Sequence, residues 1–463
     1  MKKNIYSLAI LLCLSLVGNC QFIPMALNYH NPPFKNYPHW MSIIDESTVW
    51  LGTRRFNSAG YQLPYSSAVR TTDGGNTWQF DSIPVTGQGF IRSLCAVDSN
   101  TCFYVFSDGD FSNSTIWKTS NGGSSWVKKT TTQFTAPGGF CDFYHAFDAN
   151  EGLAVGDPTQ GYYEIQRTID GGDTWSRVES ALIPPALPGE WGFENLYCAF
   201  GDNVWFASVK PSGDFTWSLR LYKSDDRGQN WTVTPNITDD FGYFDMDFST
   251  AQKGILVDPE IATATKYFYR TSDGGETWTK DSLVGNDEPI VGVSRVDGFD
   301  GGFVIGSLDL VTNKATLVFT PDFFYSTAII GVHVPADPYG VNFKDATNGW
   351  ISAKGTGADT NAILKYNGLL LSISSSVKSG EKLVIIPNPA SEEALVKLSG
   401  LKNMNDLRLM IYDIEGILHE IKLVDSNTGW TKLNASAYCS GIYVIKVVSG
   451  KRLIASAKWV VKH

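Results

Sequence analysis

The strongest constraint on this chain is a short phrase that returns at a nearly fixed interval. "TTDGGNTW" (71–78) recurs as "TSNGGSSW" (119–126), "TIDGGDTW" (168–175), "SDDRGQNW" (224–231) and "TSDGGETW" (271–278). The closing tryptophans stand at 78, 126, 175, 231 and 278, so the intervals are 48, 49, 56 and 47 residues. That period matches one four-stranded propeller blade. The sequence between the phrases agrees. In the third unit "CDFYHAFD", "GLAVGDP" and "YYEIQRT" precede the phrase and "WSRVES" follows it, four β-rich runs separated by turn residues. The same grammar continues without the phrase. "IVGVSRVDGFDGGFVIGS" with "ATLVFTPDFFYS" reads as a sixth blade that keeps only Thr320 and Asp322 of the phrase, and "YGVNFKDATNGWISAKG" with "NAILKYNG" as a seventh that stops after three strands. A segment at 22–30 has no blade of its own. It is expected to supply the missing strand and so remove the exposed sheet edges of an open array.

The residue types of the phrase suit a locked hairpin. Asp73, Asp170, Asp226 and Asp273, with Asn121 in the second unit, can accept turn amides. Gly75, Gly123, Gly172, Gly228 and Gly275 permit positive φ. Thr71 and its equivalents tie the turn through a hydroxyl, and Trp78, Trp126, Trp175, Trp231 and Trp278 bury a ring between sheets. Catalysis needs one site and not five equivalent ones, so the phrase reads as scaffold. In this set of residues it resembles the Asp-box, or BNR, repeat found in sialidases, sortilin-type receptors, some plant-polysaccharide hydrolases and photosystem II assembly propellers. The resemblance covers roughly residues 22–370. It implies that the hairpins lie on the face away from any substrate.

The N-terminus reads as an export signal over 1–20. Lys2 and Lys3 precede the apolar run "IYSLAILLCLSLVG", with a cut expected ahead of Gln21; Cys20 is alternatively a lipidated cysteine. No later segment is long and apolar enough to span a membrane as a helix. Cys13 and Cys20 would leave with the signal, and Cys439 lies near the other end. Cys95, Cys102, Cys141 and Cys198 remain. In an exported chain they pair as disulfides, Cys95 with Cys102 across a hairpin and Cys141 with Cys198, or stay as four buried thiols.

After residue 370 the blade grammar ends. Residues 371–382 are a Ser/Lys-rich linker, and 383–463 hold alternating strands sufficient for a small β-sandwich. Its landmarks are Pro387-Asn388-Pro389, Tyr412-Asp413 with Gly416, Ser440-Gly441-Ile442-Tyr443, and a basic ending at Lys458 and Lys462. As an ordered set they resemble the type A C-terminal sorting domain of the type IX secretion system. That implies a Bacteroidota-like source, passage of both membranes, and release or surface attachment of the passenger.

The expected fold is therefore all-β: a seven-bladed propeller over 21–370, closed by its N-terminal strand, followed by the C-terminal sandwich. The net charge of -10 argues against nucleic acid as a partner. The expected partners are an extracellular glycan or protein and the type IX secretion machinery, with no cofactor and no metal. Arg54, Arg55, Tyr61, Tyr162, Tyr163, Trp191 and Trp217 are the candidate binding residues. Asp157 and Asp258, at equivalent positions two blades apart, are the candidate catalytic pair, since two carboxyl groups facing one channel suit acid and base work on a glycosidic bond. The sialidase comparison is weak. The Phe/Tyr-Arg-Ile-Pro tetrapeptide is missing, and Arg70, Arg167, Arg220 and Arg270 belong to third strands. A binding module is the first reading, a glycoside hydrolase the second, and a non-catalytic envelope assembly factor the third.

Overall fold

The structure is a computed structural model that describes residues 22–25, 35–56, 62–81, 83–84, 89–108, 113–129, 134, 140–213, 216–241, 245–257, 267–282, 290–309, 314–321, 323, 328–335, 337–354, 363–366, 382–399, 407–413, 418–424, 430–449 and 452–463. The chain is all-β. Helix among the described residues is confined to short 3-10 turns such as Ser180–Leu182 and Ala435–Ala437.

Seven antiparallel sheets, designated I to VII, lie within 35–81, 89–128, 141–177, 191–241, 245–282, 290–335 and 337–366. The first six each run in chain order, and sheet IV carries one extra strand, Thr238–Phe241. Sheet VII takes its fourth strand from the N-terminus. Phe22–Met25 pairs antiparallel with Ile363–Tyr366, placing Phe22 opposite Tyr366 and Met25 opposite Ile363. Phe22 is buried, with its ring 5.2 Å from that of Tyr366. The first strands, Lys35–Ile43, Gly89–Ala96, Cys141–Ala146, Trp191–Phe200, Asp245–Phe248, Ile290–Arg295 and Asp337–Phe343, each touch the next, and the last touches the first. The sheets thus close a ring around these inner strands.

The repeated phrase forms one local structure. Its Thr or Ser hydroxyl donates to the carboxylate two residues on, at 2.8 Å for Thr71–Asp73 and 2.7 Å for Thr271–Asp273, and to the side-chain oxygen of Asn121 at 3.0 Å from Thr119. The same hydroxyl accepts the second glycine's N–H, as in Gly172 to Thr168 at 2.8 Å. That glycine has φ between 80° (Gly228) and 99° (Gly275), a region costly for any side chain. The preceding residue donates to the first hairpin of its own sheet: Gly74 to Ser47, Gly122 to Asn100, Gly171 to Asn150, Arg227 to Asp202 and Gly274 to Gln252. In sheet VI, where the glycines are gone, Phe323 adopts φ 58° and makes the equivalent bond to Gly301 at 2.8 Å. Asp322 lies outside the described residues.

Tryptophans of the repeated phrase pack on aromatic rings of second strands. Trp231 stands 5.2 Å from Phe206, and Trp126 stands 5.0 Å from Tyr104 and 6.4 Å from Trp50 of the preceding sheet.

Of the two alternatives for these cysteines the structure has the thiols: Cys95, half-buried, and Cys102, Cys141 and Cys198, buried, are free. Hairpin register explains the first pair. Cys95 stands opposite Phe103 and Ala96 opposite Cys102, so the two thiols project from opposite faces of sheet II. Cys141 and Cys198 belong to different hydrophobic clusters.

At the C-terminus a three-stranded sheet (Lys382–Ile386, Glu393–Ser399, Trp430–Asn434) and a four-stranded sheet (Leu407–Asp413, Leu418–Leu423, Gly441–Ser449, Arg452–Val461) share one core that includes Leu409, Leu433, Ile445 and Trp459. Asn388 of the Pro-Asn-Pro turn pins the entry to the last strand. Its amide donates to Lys458 O and accepts Val460 N–H, both at 2.7 Å.

Candidate functional site

The ring encloses a cavity of about 540 Å³ lined by the inner strands. The lining comes mainly from the later residues of those strands, so the cavity lies nearer the turns of the repeated phrase than the opposite rim where binding was expected. One residue per sheet occupies an equivalent position in the lining: Ser42, Cys95, His145, Cys198, Asp247, Ser294 and Asn342. Strand register establishes the equivalence. They pair in turn with Trp50, Phe103, Leu153, Trp205, Ile255, Val304 and Trp350, each the second residue of a second strand except Trp205, which is the third of Asn203–Gly213.

Several of these side chains accept an N–H from the next inner strand. Ala146 donates to Cys95 Sγ at 3.3 Å, Arg295 to Asp247 Oδ2 at 2.7 Å, and Phe343 to Ser294 Oγ at 2.8 Å. The inner edge of each strand has no fifth strand to satisfy it, and the neighbour's side chain supplies the acceptor. This ring escaped the sequence reading because its members share a position and a hydrogen-bonding role but not a residue type.

Charge in the cavity centres on sheets V and VI. Burial pushes the Asp245 carboxyl up to about 7, although it accepts Val293 N–H at 2.9 Å. Burial also raises Asp247, opposed by the guanidinium of Arg295. Arg295 Nη1 donates to Ala199 O at 2.6 Å and to Asp247 Oδ1 at 3.2 Å, and its Nε lies 3.3 Å from Asp297. Lys344 completes the network at 3.0 Å from Asp297. Arg295 thus reaches sheets IV and V from sheet VI and is committed to structure, which removes one of the arginines a sialidase-like triad would require. His145 is half-buried, and desolvation, with the nearby Arg295 guanidinium, pushes it down to about 3, so it is neutral at ordinary pH.

The second region is the rim of sheets III and IV at the strand ends opposite the repeated turns. Trp191 and Trp217 are half-buried here, with rings 5.1 Å apart and nearly perpendicular. Beside them Gly192 donates its N–H to Asp157 Oδ1 at 2.9 Å. Burial raises the Asp157 carboxyl. Asp142 approaches the same glycine: a Cβ on Gly192 would meet its Oδ2 at 2.0 Å. Asp142 and Asp157 each sit at a register shift in sheet III, and such bulges re-aim side chains. Glu190 anchors the approach to the rim, taking a forked ion pair from Arg220 at 2.5 and 2.6 Å.

The other candidates divide. Tyr163 is buried, its hydroxyl 2.6 Å from Ser208 Oγ in the core between sheets III and IV, so it is closed to a ligand. Tyr162 is half-buried against the same cluster. Arg54 and Arg55 lie on the strand Val49–Phe56, opposite Tyr37 and Asn36, with only their backbone described. Tyr61 and Asp258 lie outside the described residues, so the pairing of Asp157 with Asp258 has no geometry here. Among the described residues no group of three or more His, Cys, Asp or Glu is placed to hold a metal ion.

Residues 384–462 match the family described as the secretion system C-terminal sorting domain. The C-terminal module is a sorting domain. It marks the chain for type IX secretion to the cell surface or the extracellular space. Among the described residues no helix is long and apolar enough to cross a membrane. About half of the chain is similar to a xyloglucanase of Paenibacillus sp, 26% identical over 274 residues (51% of this chain, 25% of the relative), and to the xyloglucanase Xgh74A of Acetivibrio thermocellus, 26% identical over 278 residues (51% and 31%). The chain therefore spans between a quarter and a third of the length of these relatives. Similar solved structures include YCF48 bound to D1 peptide (17% identical, TM-score 0.49, covering 76% of this chain and 99% of that one) and the β-propeller domain of the Trilobed protease from Pyrococcus furiosus (10%, TM-score 0.47, 72% and 96%).

Proposed function

We propose that this chain is a seven-bladed Asp-box propeller joined to a sorting β-sandwich, and that after type IX export the propeller binds an extracellular glycan at the rim of sheets III and IV. The carrying observation is the half-buried pair Trp191 and Trp217, perpendicular at 5.1 Å, beside the Asp157 carboxyl. Aromatic faces next to a hydrogen-bonding carboxyl suit a sugar, whose ring has apolar C–H patches and a polar rim of hydroxyls. The likeness to xyloglucanases over half of the chain favours a glycan over a protein ligand. A screen of the secreted protein on a glycan array tests this. Binding should fall at least tenfold in Trp191→Ala and Trp217→Ala while the fold persists. Binding to no glycan, or binding indifferent to both changes, would sink the reading.

A second reading, glycoside hydrolysis, rests on Asp142 and Asp157 meeting at Gly192 with Asp157 held toward its protonated form. Release of reducing ends that disappears in Asp157→Asn would establish it and displace the pure binding module.

A further inference from the structure

The channel ring carries its soft donors on consecutive sheets: Cys95 on II, His145 on III and Cys198 on IV. Cys95 Sγ and His145 Nδ1 stand 4.0 Å apart, and both residues line the cavity. Metal–thiolate and metal–imidazole bonds of first-row ions run about 2.3 and 2.0 Å, so a linear S–metal–N unit spans about 4.3 Å. The observed gap admits one such ion with a bend at the metal.

We infer that Cys95 and His145 form a two-donor site for a soft monovalent d10 cation, Cu+. The donor count selects the ion. No group of three candidate ligands gathers among the described residues, which disfavours Zn²⁺ and other ions that require three or four protein donors. Cu+ accepts two-coordinate geometry and prefers thiolate and imidazole. The surroundings fit a soft site. Tyr197 and Phe147 stand edge-on to the imidazole at 5.9 and 4.8 Å, so two aromatic rings flank it within a cavity that also holds the Arg295 guanidinium. Binding is a substitution with no change of oxidation state: the Cys95 S–H bond breaks, an S–Cu bond and an N–Cu bond form, and one proton leaves to buffer.

Anaerobic titration of the full chain with Cu+ against bicinchoninate tests the site, in a Cys439→Ser background because that thiol is exposed. One Cu+ per chain should resist the competitor. Cys95→Ser and His145→Gln should each weaken retention at least tenfold, and Cys198→Ser should not. Serine already occupies the equivalent position in sheets I and VI, and it keeps an acceptor for Ala146 N–H, so Cys95→Ser should fold. If a variant fails to fold, alkylation of Cys95 in the parent protein decides: bound Cu+ should slow it at least tenfold. Loss of all copper to the competitor, retention in folded Cys95→Ser, or unprotected alkylation would overturn the proposal.

Discussion

Lys365, on the strand that accepts the N-terminal closing strand, donates through Nζ to the carbonyl oxygen of Gly74 at 2.9 Å, across 291 positions of sequence. The contact ties the last sheet to the first repeated turn. It is one of a series. Lys118 donates to Ala149 O at 2.7 Å and Arg167 Nε to Arg227 O at 3.0 Å, each from the residue just before its own box into the next sheet's turns. Arg70 reaches Ser99 O in the same way. Lys365, Lys118, Arg167 and Arg70, which could pass for ligand contacts, are therefore latches between neighbours, whereas Arg220 pairs with Glu190 at the approach to its own sheet. Sheet VI has Phe319 at this position, and its junction with sheet VII is held by the Lys344–Asp297 ion pair instead.

Removing the closing latch should weaken the ring. Lys365→Met is expected to cost about 1–2 kcal/mol, the low end for a charged donor because the ammonium is part-exposed. Urea denaturation followed by tryptophan fluorescence measures this. The exposed Lys128→Met is the control and should stay within about 0.5 kcal/mol.

The second glycine of a box should tolerate no side chain. At Gly275, φ is 99° and an added Cβ would meet Leu221 Cδ2 at 2.8 Å. Gly275→Ala should cost about 1–3 kcal/mol through strain and contact together. Gly161, also at positive φ but with open space around it, should pay only the conformational part, about 1 kcal/mol. Equal losses in melting experiments would contradict the packing account.

The four propeller thiols should be free in the secreted protein. Mapping under non-reducing conditions should show Cys95, Cys102, Cys141 and Cys198 unpaired, and dithiothreitol should leave the melting temperature unchanged. A linked Cys95–Cys102 peptide would require the hairpin register to shift by one residue.

Stability should pass through a maximum near pH 4–5, with two separable limbs. Hydrogen bonds hold two box carboxyls at about 2: those from Thr174 and Thr168 act on Asp170, and at Asp273 burial raises the carboxyl but bonds from Thr277 and Thr271 outweigh it. Their contribution is complete above about pH 4 and is lost as the pH falls toward 2. Asp245 acts oppositely. Its folded value of about 7 lies above the ordinary 3.8, so the folded state binds the extra proton between those limits and stability declines as pH rises from about 4 to 7. Asp245→Asn should flatten that decline and leave the acid limb in place. An unaltered profile in a denaturation series would refute the assignment.

The box turns were legible because one phrase repeats five times, and repetition converts weak local preferences into a period. Sheet VI shows where that stops. Phe323 adopts the positive φ of the missing glycine, a strained choice for a bulky residue that no propensity would select. The candidate site was less legible. Tyr162 and Tyr163 are neighbours in sequence, but strand alternation sends Tyr163 into the core and leaves Tyr162 half-buried, and spacing alone does not say which. Asp142 was passed over because its approach to Gly192 depends on a bulge, which shifts the register without a local marker. The channel ring is a pattern across sheets, invisible in any single segment.

The strand Phe22–Met25 imposes an order on events. Phe22 packs against Tyr366, so the first described strand and the last strand of the ring complete each other. A chain released from synthesis or threaded through a pore in sequence meets that partner only at the end. Until then sheet VII lacks its outer strand, and Phe22 is without the core that it shares with Tyr366 and Phe343. Closure is thus a late, long-range step whose loop entropy is offset by the four-residue pairing together with the contacts between sheets VII and I. A chain cut anywhere before Tyr366 would leave an open array with a sticky margin, which makes completeness of the polypeptide, and not any one blade, the quantity that decides whether a monomeric ring forms.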